Sequence, residues 1–174
     1  QNTDELKSKI SGASGLEKVQ YQLQLANKIV DTDAKEAFNL AKDALQNAEG
    51  NTSLEGAANA LAAQASVNQK SYDDAIKYGK AAAKIYKSSD KNNYAMSESA
   101  VADAYEGKGK QSEAIDHNKL AYEAYKSIAK NKNAGFSASS IGMIYNKKGD
   151  TKNSIDWYGK AAKEFELSGR EKDE

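Results

Sequence analysis

At 174 residues the chain can form one compact domain or one short solenoid, and with no cysteine it excludes disulfides, thiolate metal sites and cysteine nucleophiles. Its 25 basic and 25 acidic residues cancel and Arg170 is the sole arginine, so no nucleic-acid partner and no electrostatic grip on an anionic membrane is expected. No apolar run approaches the roughly 20 residues of a membrane span, and no signal peptide is read at the start, where Gln1 stands in place of methionine, as in a processed form or an excerpt.

The chain has no proline, the strongest interruption of a helix, and is rich in alanine, lysine, glutamate, leucine and glutamine, the better helix formers. An all-α fold is therefore expected. In chain order, the segment 1–13 holds a capping helix from Thr3 to about Ser11, with Leu6 and Ile10 on one face and breaks at Gly12 and Gly15. Helix pairs are expected at about 15–30 and 33–48, 53–69 and 71–88, 92–107 and 111–129, and 134–147 and 151–168. Ser14, Ser53, Ser71 and Asp150 are the N-cap candidates.

Four of these segments share one pattern. They read EAFNLAKDAL (36–45), DAIKYGKAAA (74–83), EAIDHNKLAY (113–122) and NSIDWYGKAA (153–162). Their first small residues are Ala37, Ala75, Ala114 and Ser154, spaced by 38, 39 and 40 residues, and a second small residue follows at Ala44, Ala82, Ala121 and Ala161. Each segment is preceded by another helical stretch and a polar turn, with Gly109 and Gly149 placed where a helix must stop. Each unit is thus two helices joined by a tight turn, with repeats at about 15–50, 51–90, 91–130 and 131–168 inside a solenoid spanning 14–174.

The string Ile141-Gly142-x-x-Tyr145-x-x-x-Gly149-Asp150, followed by Ile155, Tyr158 and Ala161, resembles the tetratricopeptide repeat signature. The third unit matches it at Tyr105, Gly109, Ala114, Ile115 and Ala121, and the second at Tyr72, Ala75, Ile76 and Ala82. The first is the most degenerate. The family's proline after the second helix is absent throughout, and the period exceeds the family's common 34. The resemblance covers about 14–168 and implies a right-handed superhelical solenoid of about four repeats, whose concave face is lined by the first helix of each pair. It also implies a protein or peptide as partner. Groove positions carried over from the family are Ala57, Ala60, Gln64 and Val67, then Met96, Ser99, Asp103 and Glu106, then Phe136, Ser139, Met143 and Asn146. The first repeat offers Gln20 and Asn27 in an uncertain register. The lysine and arginine set that clamps a C-terminal carboxylate in some members is missing.

A search for chemistry comes back empty. His117 is the lone histidine, set among Asp116 and Asn118, and reads as an exposed structural residue. Gly107-x-Gly109 is a helix terminator, with no strand before it. Asn51-Thr52-Ser53 matches a glycosylation sequon of a kind frequent by chance. Tyr72, Tyr78, Tyr105, Tyr145 and Tyr158 read as packing residues, and Trp157 as packed or half-packed. No catalytic residue, cofactor or metal is expected.

The reading is a non-catalytic adaptor or scaffold that holds a peptide along its concave face. The peptide expected there is extended or helical, with apolar anchors met by Met96, Phe136 and Met143, and a basic residue met by Asp103 and Glu106, both expected to be exposed. The alternative is the input region of a larger bacterial signalling protein, such as a sensor kinase with tetratricopeptide repeats. The tail 168–174 resembles an inter-repeat linker. The last helix should therefore leave Ile155, Ala162 and Phe165 partly uncovered, open to weak self-association.

Overall fold

The structure, a computed structural model, describes residues 2–170; the tail expectation for 171–174 lies outside the described residues. Among the described residues there are nine helices and no strand. They are α1 (Thr3–Gly12), α2 (Gly15–Ile29), α3 (Ala34–Gln46), α4 (Thr52–Asn68), α5 (Tyr72–Tyr86), α6 (Lys91–Gly107), α7 (Gln111–Ser127), α8 (Asn131–Lys147) and α9 (Thr151–Arg170). Each packs on its neighbours in sequence, and α4 also packs on α2 and α6, two positions away. That pattern is a solenoid of helix pairs in which the even-numbered helices share one face.

The alanine period is what allows this stacking. Ala37, Ala44, Ala75, Ala82, Ala114 and Ala121 are wholly buried, and Ser154 and Ala161 nearly so. A methyl group at these positions lets two helix backbones close on each other, and larger neighbours such as Leu25, Val101, Ile141 and Ile144 fill the spaces between. At Ser154 the hydroxyl that replaces the methyl donates to the Gly142 carbonyl at 3.0 Å, so burial leaves it satisfied.

The turns repeat as well. Lys70, Gly109 and Gly149 occupy equivalent places with φ of 59°, 72° and 76°. The amide of the next residue reaches back to close the helix end: Ser71 to Ser66 O at 2.8 Å, Lys110 to Tyr105 O at 2.9 Å, Asp150 to Tyr145 O at 3.0 Å. At the other ends, Asn51 rather than Ser53 caps α4, accepting from the Leu54 amide at 3.1 Å. Asp33 caps α3, Asp90 caps α6, and Asp150 accepts from the Asn153 amide as expected. Ser14 and Ser71 stand at N-cap positions without making a side-chain bond.

His117 is not an exposed residue. Its Nδ1 lies 2.5 Å from Oε2 of Glu98, itself buried, and its ring stacks on Tyr105 at 5.3 Å between centroids. The carboxylate comes from α6, which sequence spacing alone does not bring to α7. Of the tyrosines expected to pack, Tyr78 is buried, Tyr72, Tyr105 and Tyr145 are half-buried, and Tyr158 is 41% exposed. Tyr86, Tyr122 and Tyr125 are buried too. Trp157 is buried, edge-on to Tyr122 with centroids 5.4 Å apart.

Candidate functional site

The shared face of the even-numbered helices carries two hollows at equivalent places in successive repeats. The first, about 380 Å³, is lined by α2, α4, α6 and Tyr86 of α5. Ala60, Gln64, Met96 and Ala100 supply much of its wall, with Leu23, Asn27 and Val30 closing the α2 side. The second, about 180 Å³, lies one repeat on, between α6, α7 and α8. Shifting the first hollow's residues by the repeat period of 39 or 40 gives the second's. Ala60 becomes Ser99, Gln64 becomes Asp103, Ala100 becomes Ser140, Met96 becomes Phe136 and Tyr86 becomes Tyr125. The same backbone mould is thus lined mostly by apolar surface in the first hollow, with Gln24, Asn27 and Gln64 among it, and by hydroxyls and a carboxylate beside Phe136 in the second.

The groups differ in how far they are already engaged. Met96 and Phe136 are 52% and 55% exposed, so neither is used up in the core. Phe136 does touch α9, edge-on to Phe165 at 5.3 Å, and Lys132 holds its ammonium 5.9 Å from the Phe136 centroid. Glu106 is half-buried and paired with Lys147 at 2.7 Å, so the expectation of two free negative charges is corrected to one. The reason is the turn of α8, which brings Lys147 back beside α6. Asp103 meets solvent, yet protein surrounds it across the trough; that desolvation, with the Glu106 charge, pushes its carboxyl up to about 6. Tyr125, hydrogen-bonded by Asn133 and Ser99, has its phenol pushed up by burial first and then by the Asp103 charge.

The other expected groove residues divide. Gln64 and Ala57 line the first hollow and Ser99 the second. Met143 is 39% exposed, Asn146 exposed and Ser139 half-buried, but these three line neither hollow. Val67 is half-buried and packs against a core cluster instead of lining the first hollow, and Gln20 is exposed away from that hollow, where Asn27 and Gln24 stand. Sequence reasoning missed Asn118, Tyr125 and Asn133. Asn118 belongs to a second-of-pair helix, α7, and reaches the trough between two first-of-pair helices. Among the described residues no group of three or more histidine, cysteine, aspartate or glutamate side chains is placed to hold a metal. No helix of the described residues is long and apolar enough to cross a membrane.

Stacked antiparallel helix pairs with small residues at their seams and a trough along one set of helices define a helical-repeat protein. Residues 54–127 match the tetratricopeptide repeat family, and the helices on either side of that stretch continue the same stacking. No curated protein matches the sequence. Among solved structures, MamA is similar over 97% of this chain and 89% of its own, at 17% identity and a TM-score of 0.77. The apo form of RapI matches over 93% of this chain at 17% identity and a TM-score of 0.78, but this chain spans only 46% of it. BtubC from P. vanneervenii matches over 90% of this chain and 72% of its own, at 18% identity and a TM-score of 0.68. At such identities the likeness is one of fold.

Proposed function

We propose that the protein is a non-catalytic adaptor that holds a partner peptide in the trough formed by α2, α4, α6 and α8. The peptide carries an apolar anchor and, about one repeat further along, a basic residue. The observation that carries this reading is the pair of equivalent hollows, one mostly apolar and the next holding the Asp103 carboxylate, since a ligand long enough to fill both is read at two points at once. Met96 gives the apolar hollow a soft, adaptable wall. Asp103, with no cation paired to it among the described residues, gives the polar hollow its charge preference.

A random peptide library panned against the chain tests this. Selected peptides are expected to combine an apolar residue with a lysine or arginine. They should bind the Asp103→Lys/Glu106→Lys double variant and a Phe136→Ser variant more weakly, with circular dichroism unchanged. Peptides that bind both variants with undiminished affinity would put the site elsewhere.

A second contact is proposed at the far end of the solenoid, between copies of the chain. Ile155, Tyr158 and Phe165 of α9 are 64%, 41% and 37% exposed, and Ala162 is exposed. Their equivalents in α7, namely Ile115, Asn118, Tyr125 and Tyr122, are all buried there. Weak self-association through that face is the expected use.

A further inference from the structure

The outer face of α9 carries Ile155, Tyr158, Ala162 and Phe165, all exposed and spaced by three, four and three residues. That is the spacing of a two-helix seam, in which each side chain inserts between those of a facing helix. Tyr158 and Phe165 are held in position, because their rings lie against Gly142 and Gly135 of α8. When two such helices lie side by side in opposite directions, Ile155 falls opposite Phe165 and the Tyr158 ring falls opposite the Ala162 methyl. The larger aromatic group of each pair thus meets a smaller aliphatic one, and a two-fold axis makes each meeting occur twice. In a parallel pair Tyr158 would oppose Tyr158, and Ala162 would face Ala162 across a gap.

Charge points the same way. Along one border of the stripe stand Lys152, Gly159 and Glu166, seven residues apart. Antiparallel pairing brings Lys152 of one copy to Glu166 of the other, again twice, whereas parallel pairing sets lysine against lysine and glutamate against glutamate.

Gly159 supplies an independent sign. In the first three repeats its position holds lysine: Lys42, Lys80, Lys119 and Gly159 follow one another at intervals of 38, 39 and 40 residues. Inside the other helices, Gly56, Gly79, Gly135 and Gly142 each have a side chain of a neighbouring helix pressed against them. Gly159 is exposed, and a Cβ added there would have nothing among the described residues within 4 Å. Glycine in mid-helix is unfavourable, and no contact within the described chain offsets it here. At the centre of an antiparallel pair, glycine meets glycine beside the axis, and the missing lysine lets the two backbones close.

We propose that α9 pairs antiparallel with α9 of a second copy, about a two-fold axis beside Gly159, to give a closed dimer. This rests on the self-association reading above and fixes its geometry. The stripe runs only about 15 Å along the helix, far short of the roughly 1,600 Å² contact of a standard stable interface, so the dimer is weak. Both copies use the same patch, so assembly stops at two.

The test is sedimentation velocity of the full chain over a range of concentrations. The native chain is expected to approach twice the monomer mass and go no further. Gly159→Lys, which installs the residue of the first three repeats, should remove the association while the helical spectrum is kept and the melting temperature holds or rises. Lys152→Glu and Glu166→Lys should each weaken association about fivefold or more, since both symmetry-related pairs become repulsive. An equimolar mixture of these two variants should recover native association, because the reversed charge of each chain then meets its opposite on the other. Growth beyond the dimer, a mixture no tighter than its components, or undiminished association of Gly159→Lys would overturn the antiparallel pairing. If Ile155→Lys abolishes association in that event, the self-association reading stands without this geometry. If Ile155→Lys associates like the native chain, or the native chain stays monomeric, both fall.

Discussion

The ring of Tyr158 on α9 lies against Gly142 of α8 so closely that a Cβ there would stand 3.0 Å from the nearest ring carbon. Glycine within a helix costs about 1 kcal/mol relative to alanine, and here the close approach of an aromatic from the paired helix offsets it. Phe165 over Gly135 and Tyr86 over Gly56 repeat the arrangement, with the added Cβ at 2.6 and 2.8 Å. Gly142→Leu is therefore expected to destabilise the protein by about 1–3 kcal/mol through overpacking. Urea denaturation measures it, and an unchanged midpoint would mean that Tyr158 can swing away freely.

Lys70 takes the left-handed conformation that its equivalents Gly109 and Gly149 take, with φ of 59° against 72° and 76°. A side chain there is strained by about 1–2 kcal/mol, while glycine is not, although glycine also loosens the unfolded chain. Lys70 is exposed and forms no ion pair among the described residues. Lys70→Gly should raise stability by up to about 1 kcal/mol in the same assay. A fall in the denaturation midpoint would reveal a contact of Lys70 that outweighs the strain.

The carboxyl of Asp103 sits at about 6 instead of the ordinary 3.8, chiefly through desolvation in the trough and secondly through Glu106. Between those values the folded chain retains a proton that the unfolded chain has released. This group's contribution therefore favours folding most below about pH 4 and declines as pH rises to about 6. Thermal melts of the native chain and of Asp103→Asn should diverge across that interval, with the asparagine variant gaining relative stability as pH rises. Solvent contact at Asp103 keeps the difference modest. Parallel melting curves from pH 4 to 7 would show that the carboxyl titrates normally.

The exposed stripe of Ile155, Tyr158, Ala162 and Phe165 should make the chain associate reversibly at high concentration. Ile155→Lys, at the most exposed of these positions, should abolish the association without altering the helical spectrum, since the side chain already faces solvent. Sedimentation velocity distinguishes the two. A native chain that stays monomeric throughout would remove the self-association proposal.

The sequence by itself determined the helices, their pairing and their turns, because these are local matters. Alanines returning at 38 to 40 residues say which face of each helix must be small, and glycines at 109 and 149 say where a left-handed turn is cheap. The placement of Met96, Asp103 and Phe136 on the trough followed from family register for the same reason. What only the tertiary structure decided is which side chains meet across helices. Glu98 meets His117 over a gap of 19 residues, and Lys147 meets Glu106 over 41, so a histidine read as exposed is half-buried and held by a carboxylate, and a carboxylate read as free is paired. The seam position that takes a methyl in α3 and no side chain at all in α5 takes the amide of Asn118 in α7, where it opens into a hollow between α6 and α8. Periodicity records the inward or outward sense of each residue along one helix; the cavity where three helices meet depends on their relative rotation, which no single helix encodes.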